Sequence, residues 1–317
     1  MNPGSDKALY MLPFDHRQSY VAGMFGFKLP LSAPQHDLVS DSKHLIYEGF
    51  MQALAEGVPR QLAGILVDEE FGSDILRDAH RRGIVVALST ERSGTDEFDF
   101  EYGSDFGRHI DAFDPNFVKV LVRYNPEGAQ ELNRRQVKRL KQLSDYCRRN
   151  QRRFMFELLV PATQQQLAIE GGDKSAYDQR IRPVLMDRAI RTLQDAGVEP
   201  DIWKIEGLDR REDCKRIVNA AQRDGRTGIG CIVLGRAADA EVVSAWLSTA
   251  ASVGGFIGFA VGRTTFWDAV AGYRAQTLTR AEAATQIARR LREWVDVFER
   301  ARMPGANGID SNYGVVP

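Results

Sequence analysis

The sequence has little that points away from a soluble small-molecule protein. Lys and Arg number 42 against 43 Asp and Glu, for a net charge of −1. That balance gives no basic surplus for nucleic acid and no acidic surplus for a solvating tail. The 3 cysteines, Cys147, Cys214 and Cys231, are far apart and odd in number, so neither a disulfide framework nor a metal-binding Cys pair is expected. No apolar run approaches the ~18 residues of a membrane span, and Met1–Ala8 is too polar for a signal peptide. The expected compartment is therefore the cytoplasm, with neither membrane nor nucleic-acid partner. Glycine-rich phosphate turns, dinucleotide fingerprints and serine elbows are also missing. The five histidines, His16, His36, His44, His80 and His109, form no pair at helical ligand spacing, so no metal and no cofactor is expected.

What is present is regular alternation. Apolar, β-branched-rich runs read as strands at Leu9–Phe14, Ala63–Val67, Ile84–Ser89, Phe117–Val122, Phe154–Val160, Ile202–Ile205, Cys231–Leu234 and Phe256–Val261. Amphipathic helical patterns separate them: Leu45–Ala55, Ser73–Arg82, a short Ser104–Ala112, Arg134–Arg149, Arg182–Ala196, Arg211–Asp224 and Ala240–Ala251. Thr265–Tyr273 and a long C-terminal helix, Arg280–Arg302, follow the last strand. Eight strands in strict alternation with helices imply parallel pairing with right-handed crossovers. An α/β fold of the (β/α)8 TIM-barrel class, as a single domain over residues 1–317, accounts for the length. An open doubly wound sheet would carry a glycine-rich turn after the first strand, where this chain has Phe14-Asp15-His16-Arg17. Val21–Pro34 and Thr163–Tyr177 read as loops on the catalytic face, and residues 304–317 as a mobile tail.

Charges inside or just beyond these apolar runs mark a candidate site. They are Asp15, Asp68, Glu91, Lys119, Glu157, Lys204, Arg236 and Arg263. Catalytic side chains of a β/α barrel come from the C-terminal ends of different strands. Alternation puts Lys119, Leu121 and Arg123 on one face of the fourth strand, and Lys204 and Glu206 on one face of the sixth. An ammonium buried in an apolar run is costly unless paired or used. Two lysines among several carboxylates suggest amine chemistry, in which a lysine attacks a ketone and a carboxylate such as Glu157 moves protons. Sequence order favours neither lysine. Strands seven and eight end Gly235-Arg236 and Gly262-Arg263. Loops at these positions often bind phosphate, with glycine allowing close backbone approach and arginine supplying a clamp.

The stretches MLPFDHR (11–17), GILVDEEFG (64–72), ALSTERSG (87–94), FVKVLVRYNP (117–126), FMFELLVP (154–161), DIWKIEG (201–207) and GFAVGRTTFWDAV (258–270) occur in that order along the chain. Together they resemble the class I, Schiff-base aldolase family that includes tagatose 1,6-bisphosphate aldolase. Within it they look most like the aldolase-like domain fused to the sugar kinase of bacterial myo-inositol catabolism. The resemblance implies an imine-forming lysine at Lys204, with Lys119, Glu157 and Asp15 as its catalytic companions. It places Arg17 at the substrate, and Asp68, Glu91, Arg92, Arg123 and Glu206 are the further expected substrate contacts. Arg92 stands where the family has a lysine, and Gly235-Arg236 where it has a small-residue turn. The reaction implied is cleavage of 5-dehydro-2-deoxygluconate 6-phosphate to dihydroxyacetone phosphate and malonate semialdehyde. The alternatives are an aldolase of the tagatose-bisphosphate or sulfo-sugar-phosphate type, and a non-catalytic barrel that binds a sugar phosphate or regulates a kinase. A phosphorylated sugar is the expected partner. The C-terminal helix could pack on its own barrel or on a neighbouring subunit, so a homo-oligomer is left open.

Overall fold

The computed structural model describes residues 7–303; the expected tail at 304–317 lies outside them. Eight parallel strands close into a barrel in sequence order. They are β1 (Leu9–Pro13), β2 (Ala63–Val67), β3 (Val85–Ser89), β4 (Phe117–Arg123), β5 (Arg153–Leu159), β6 (Ile202–Glu206), β7 (Gly230–Leu234) and β8 (Phe256–Ala260). This is a (β/α)8 TIM barrel of one domain. β1 closes the ring against β8, pairing Leu9 with Gly258 and Met11 with Ala260. That closure needs glycine. A Cβ on Gly258 would lie 1.8 Å from the Leu9 carbonyl oxygen, and one on Gly262 2.3 Å from that of Pro13.

Alternation divides each strand between two cores. Outward residues join the large apolar layer beneath the helices. Inward residues Leu9, Met11, Leu66, Ala87, Phe117, Met155, Ile202 and Ile232 belong to a separate apolar plug inside the barrel. One inward step further along, the chemistry changes. Phe117 is followed by Lys119, Met155 by Glu157 and Ile202 by Lys204. Two residues of strand rise about 6.6 Å, so an ionic layer lies directly on an apolar floor.

Helices form where the sequence caps them. Asp68 accepts from the Phe71 amide at 2.9 Å and starts helix Glu69–Arg81. Thr279 and Glu282 form a capping box at the start of helix Arg280–Arg302. The apolar stripe Ile287, Leu291, Trp294, Val295 and Phe298 of that helix is buried. Two departures from the sequence reading concern the catalytic face. The first long helix runs Ala33–Ala55, beginning twelve residues earlier than expected, with Ser32 and Gln35 capping its start. The two presumed loops contain helical turns at Val21–Phe25, Gln164–Ile169 and Lys174–Ala176, and a further turn, Tyr177–Ile181, starts at the last residue of the second. Among the described residues no helix is long and apolar enough to cross a membrane.

Candidate active site

The ionic layer centres on Lys119, which is 1% exposed. Its ammonium lies 2.7 Å from Asp15, 2.8 Å from Glu91 and 3.0 Å from Glu157. Burial opposes its charge, but Asp15, Glu157 and Glu91 outweigh burial and hold Lys119 well above the usual lysine range. Glu157 Oε2 also lies 2.8 Å from the Lys204 ammonium, so one carboxylate oxygen bridges both lysines.

The other carboxylates divide according to how well they are paired. Burial pushes Asp15 up, but Lys119, with Lys204 and His16, takes it far below the ordinary value. Burial pushes Glu157 up as well, and the two lysines reverse it, leaving it lowered. At Glu91 burial prevails over Lys119 and Arg17 and raises the carboxyl; its Oε2 is buried without a hydrogen-bond partner.

Two cavities open from this layer. The larger, about 730 Å³, runs from Lys204 and Glu157 past His16 to Gly235, Gly262 and Arg263. The smaller, about 280 Å³, lies over Lys119, Asp15 and Glu91 and reaches Arg92 and the 93–96 loop. Both are lined by His16, Ser19, Leu121, Arg123 and Glu157, so they form the two arms of one site. At the far end of the larger arm, Arg263 has no hydrogen-bond or ion-pair partner among the described residues. It opens helix Arg263–Arg274, whose first turn has no side-chain cap. Lys174 lines the same arm, exposed and also without a partner among the described residues. Half-buried guanidinium, free ammonium and uncapped amides together make an end suited to an anion.

Several expected contacts have other tasks. Asp68 is fully buried and pairs with the buried Lys43 of helix Ala33–Ala55. It caps the helix after β2 and does not line either arm, so its expected role in substrate binding is corrected to a structural one. Glu206 is held by Arg182 at 3.2 Å and Arg236 at 3.1 Å, and accepts from the Val160 amide at 2.9 Å. Arg236 also bonds Asp178 at 2.7 Å. Its guanidinium is therefore spent on two carboxylates, and of the two Gly-Arg pairs only Gly262-Arg263 presents a free cation. Arg17 is buried, bonds Glu101 at 2.7 Å and donates to the Glu91 carbonyl. It lines the smaller arm and ties Glu91 to Glu101 there. Arg92 and Arg123 remain more available, each 3.8 Å from its nearest carboxylate, Asp99 and Asp96 respectively.

Sequence reading missed Lys43, Lys174, Asp178 and Arg182. Only Lys43 left a usable signal. Val39, Lys43, Ile46 and Phe50 follow helical spacing and are all buried, but the helix start was placed beyond Lys43.

Residues 2–302 match a family described as an uncharacterized protein conserved in bacteria, DUF2090. The chain belongs to DUF2090. Comparison with curated proteins returned no match. Solved structures show what fold this DUF2090 chain shares. Cgl0159 from Corynebacterium glutamicum is 16% identical, with a TM-score of 0.55 over 92% of this chain and 88% of its own. An archaeal fructose 1,6-bisphosphate aldolase is 12% identical, with a TM-score of 0.53 over 92% of this chain and 94% of its own. The fructose-bisphosphate aldolase from Slackia heliotrinireducens is 13% identical, with a TM-score of 0.54 over 88% and 85%. At these identities the likeness establishes a shared barrel, one that aldolases use.

Proposed function

We propose that this DUF2090 chain is a class I aldolase acting on a phosphorylated ketose through an imine at Lys204. The observation that carries the reading is the asymmetry of the two lysines around Glu157. Lys119 is enclosed by three carboxylates, whereas Lys204 touches one and lies on the floor of the larger arm. Attack on a ketone requires the amine to lose a proton, and Glu157 at 2.8 Å is positioned to take it. The same carboxylate can return that proton to the carbinolamine oxygen, which leaves as water. The bond between the α- and β-carbons then breaks, and its electrons pass into the iminium to form the enamine. The β-hydroxyl becomes the aldehyde carbonyl and gives its proton to the carboxylate cluster. Lys119 stays charged throughout and keeps that cluster compact.

The polarity of the arms supports an orientation. Arg263 and Lys174 suit the phosphate of the ketone half, and Arg123 with Arg92 suits a second anion on the aldehyde half. Within the class, the substrate we infer is 5-dehydro-2-deoxygluconate 6-phosphate, whose carboxylate would meet that second pair. A ketose bisphosphate is the second reading, favoured by cations at both ends.

Borohydride trapping with dihydroxyacetone phosphate, followed by peptide mass mapping, tests the chemistry. Mass gain on the Lys204 peptide, lost in Lys204→Ala, is expected. An adduct on Lys119 would reverse the choice of lysine, and no adduct on any lysine would favour a non-catalytic sugar-phosphate binder. Cleavage rates on a panel of ketose phosphates then rank the substrates.

A further inference from the structure

His16 lies where the two arms meet, lining both. It follows Asp15 beyond the end of β1, and its ring is held by neighbours that leave it little freedom. The Phe266 ring meets it edge-on at 6.4 Å, and a Cβ on Gly262 would lie 3.3 Å from His16 Cε1. The absence of that Cβ makes room for the imidazole. Among the described residues the ring has no hydrogen-bond partner, and Nδ1 is shielded from solvent. Burial, opposed by Asp15 and reinforced by Arg263 and Lys204, brings His16 down to about 4, so the imidazole is neutral near pH 7. An orphaned buried N–H is rarer than an orphaned lone pair, which puts the single ring proton on Nε2, the nitrogen open to the cavity.

The other groups shared by both arms are less suited to a reacting oxygen. Glu157 serves both lysines, Arg123 donates to the Thr95 carbonyl at 3.2 Å, Leu121 is apolar, and Ser19 is solvent-exposed on the helical turn Gln18–Tyr20. We propose that His16 meets the reacting oxygen of the aldehyde fragment, donating the Nε2 hydrogen to it where the carbon–carbon bond is broken or made. This assignment rests on the aldolase reading. Charge grows on that oxygen in the transition state, so a fixed donor there stabilises the barrier more than the ground state. The ring keeps its proton throughout, and the hydroxyl proton leaves to the carboxylates. A residue beside the scissile bond but remote from imine formation should affect the two steps unequally.

The test compares the full-length wild type with His16→Ala and His16→Gln. Imine formation is read by borohydride trapping of dihydroxyacetone phosphate on Lys204. Turnover is read by cleavage of 5-dehydro-2-deoxygluconate 6-phosphate or tagatose 1,6-bisphosphate, whichever the wild type cleaves. In His16→Ala, turnover should fall about 10²–10³-fold, the usual effect of deleting such a donor. Trapping should fall less than about tenfold, and glutamine, which retains an N–H, should recover at least about tenfold of the lost turnover. Alanine turnover within about threefold of wild type would overturn the proposal, as would equal losses in trapping and turnover, the mark of a merely structural role. Failure of the aldolase reading itself would look different, because the wild type would then give no adduct on any lysine.

Discussion

Replacing Lys119 with methionine keeps the unbranched apolar stem of the side chain and deletes the cation that three carboxylates share. The nitrogen–oxygen separations are 2.7, 2.8 and 3.0 Å. At an effective dielectric of about 20, each attraction is worth about 6 kcal/mol gross. Desolvation of the buried ions offsets most of that sum. The measured cost of breaking buried pairs, about 3–5 kcal/mol, is the expected loss at pH 7. The loss should depend on pH in a definite direction. Asp15 and Glu157 are lowered in the folded protein, so their stabilisation is present above the ordinary carboxylate range and disappears as pH falls through their folded values. Without Lys119 both groups rise instead and take up protons in mild acid. Glu91, already raised, rises further, and its contribution is lost as pH climbs through its folded value. All three changes make the penalty largest near neutrality and smaller at about pH 5. Urea unfolding of wild type and Lys119→Met at both pH values measures it. A penalty of equal size at the two pH values, or one below about 1 kcal/mol at pH 7, would refute the view of Lys119 as the fixed counterion of the cluster.

Arg263→Ala should weaken binding of inorganic phosphate by about tenfold or more, the value of a lost charged hydrogen bond, whereas Arg236→Ala should change it far less because Asp178 and Glu206 already hold that guanidinium; calorimetric titration separates them. Lys43→Met leaves Asp68 buried without its partner and should cost about 3–5 kcal/mol of stability. It should still yield a borohydride adduct at Lys204 under conditions where the variant is folded, as chemical denaturation and trapping run together would show.

The barrel was legible because its strands are buried on both faces and so appear as nearly unbroken apolar runs. Observed strand limits fall within a residue of those expected, as at Ala63–Val67 and Val85–Ser89. The ionic cluster was legible for a related reason: Lys119, Glu157 and Lys204 interrupt those runs. Sequence could not say which charge pairs with which. Asp68 and Glu206 occupy strand ends just as Asp15 and Glu91 do, but Lys43 and Arg182 neutralise them from outside the strands. Lys43 sits in the first half of a helix whose polar start hid it, and Arg182 opens a helix that was legible but whose neighbours across the barrel were not. Nor could it distinguish the lysines, because their inequality lies in how many carboxylates surround each, a property of the closed ring.

The closure of β1 on β8 and the packing of the last helix on the first also govern how the chain must fold. Arg280 reaches Asp41 and Glu48, each at 2.9 Å. Gly49 lies so near Ile287 that a Cβ there would stand 2.6 Å from it. Contacts separated by more than two hundred residues therefore complete both the ring and its outer layer. Such non-local closure carries a large entropic cost and forms slowly. During synthesis, β1 has no second neighbour until β8 emerges, and its edge must wait. Asp15, on the chain just beyond β1, and Lys204, on β6, therefore take up their final relation only when the C-terminal third has arrived.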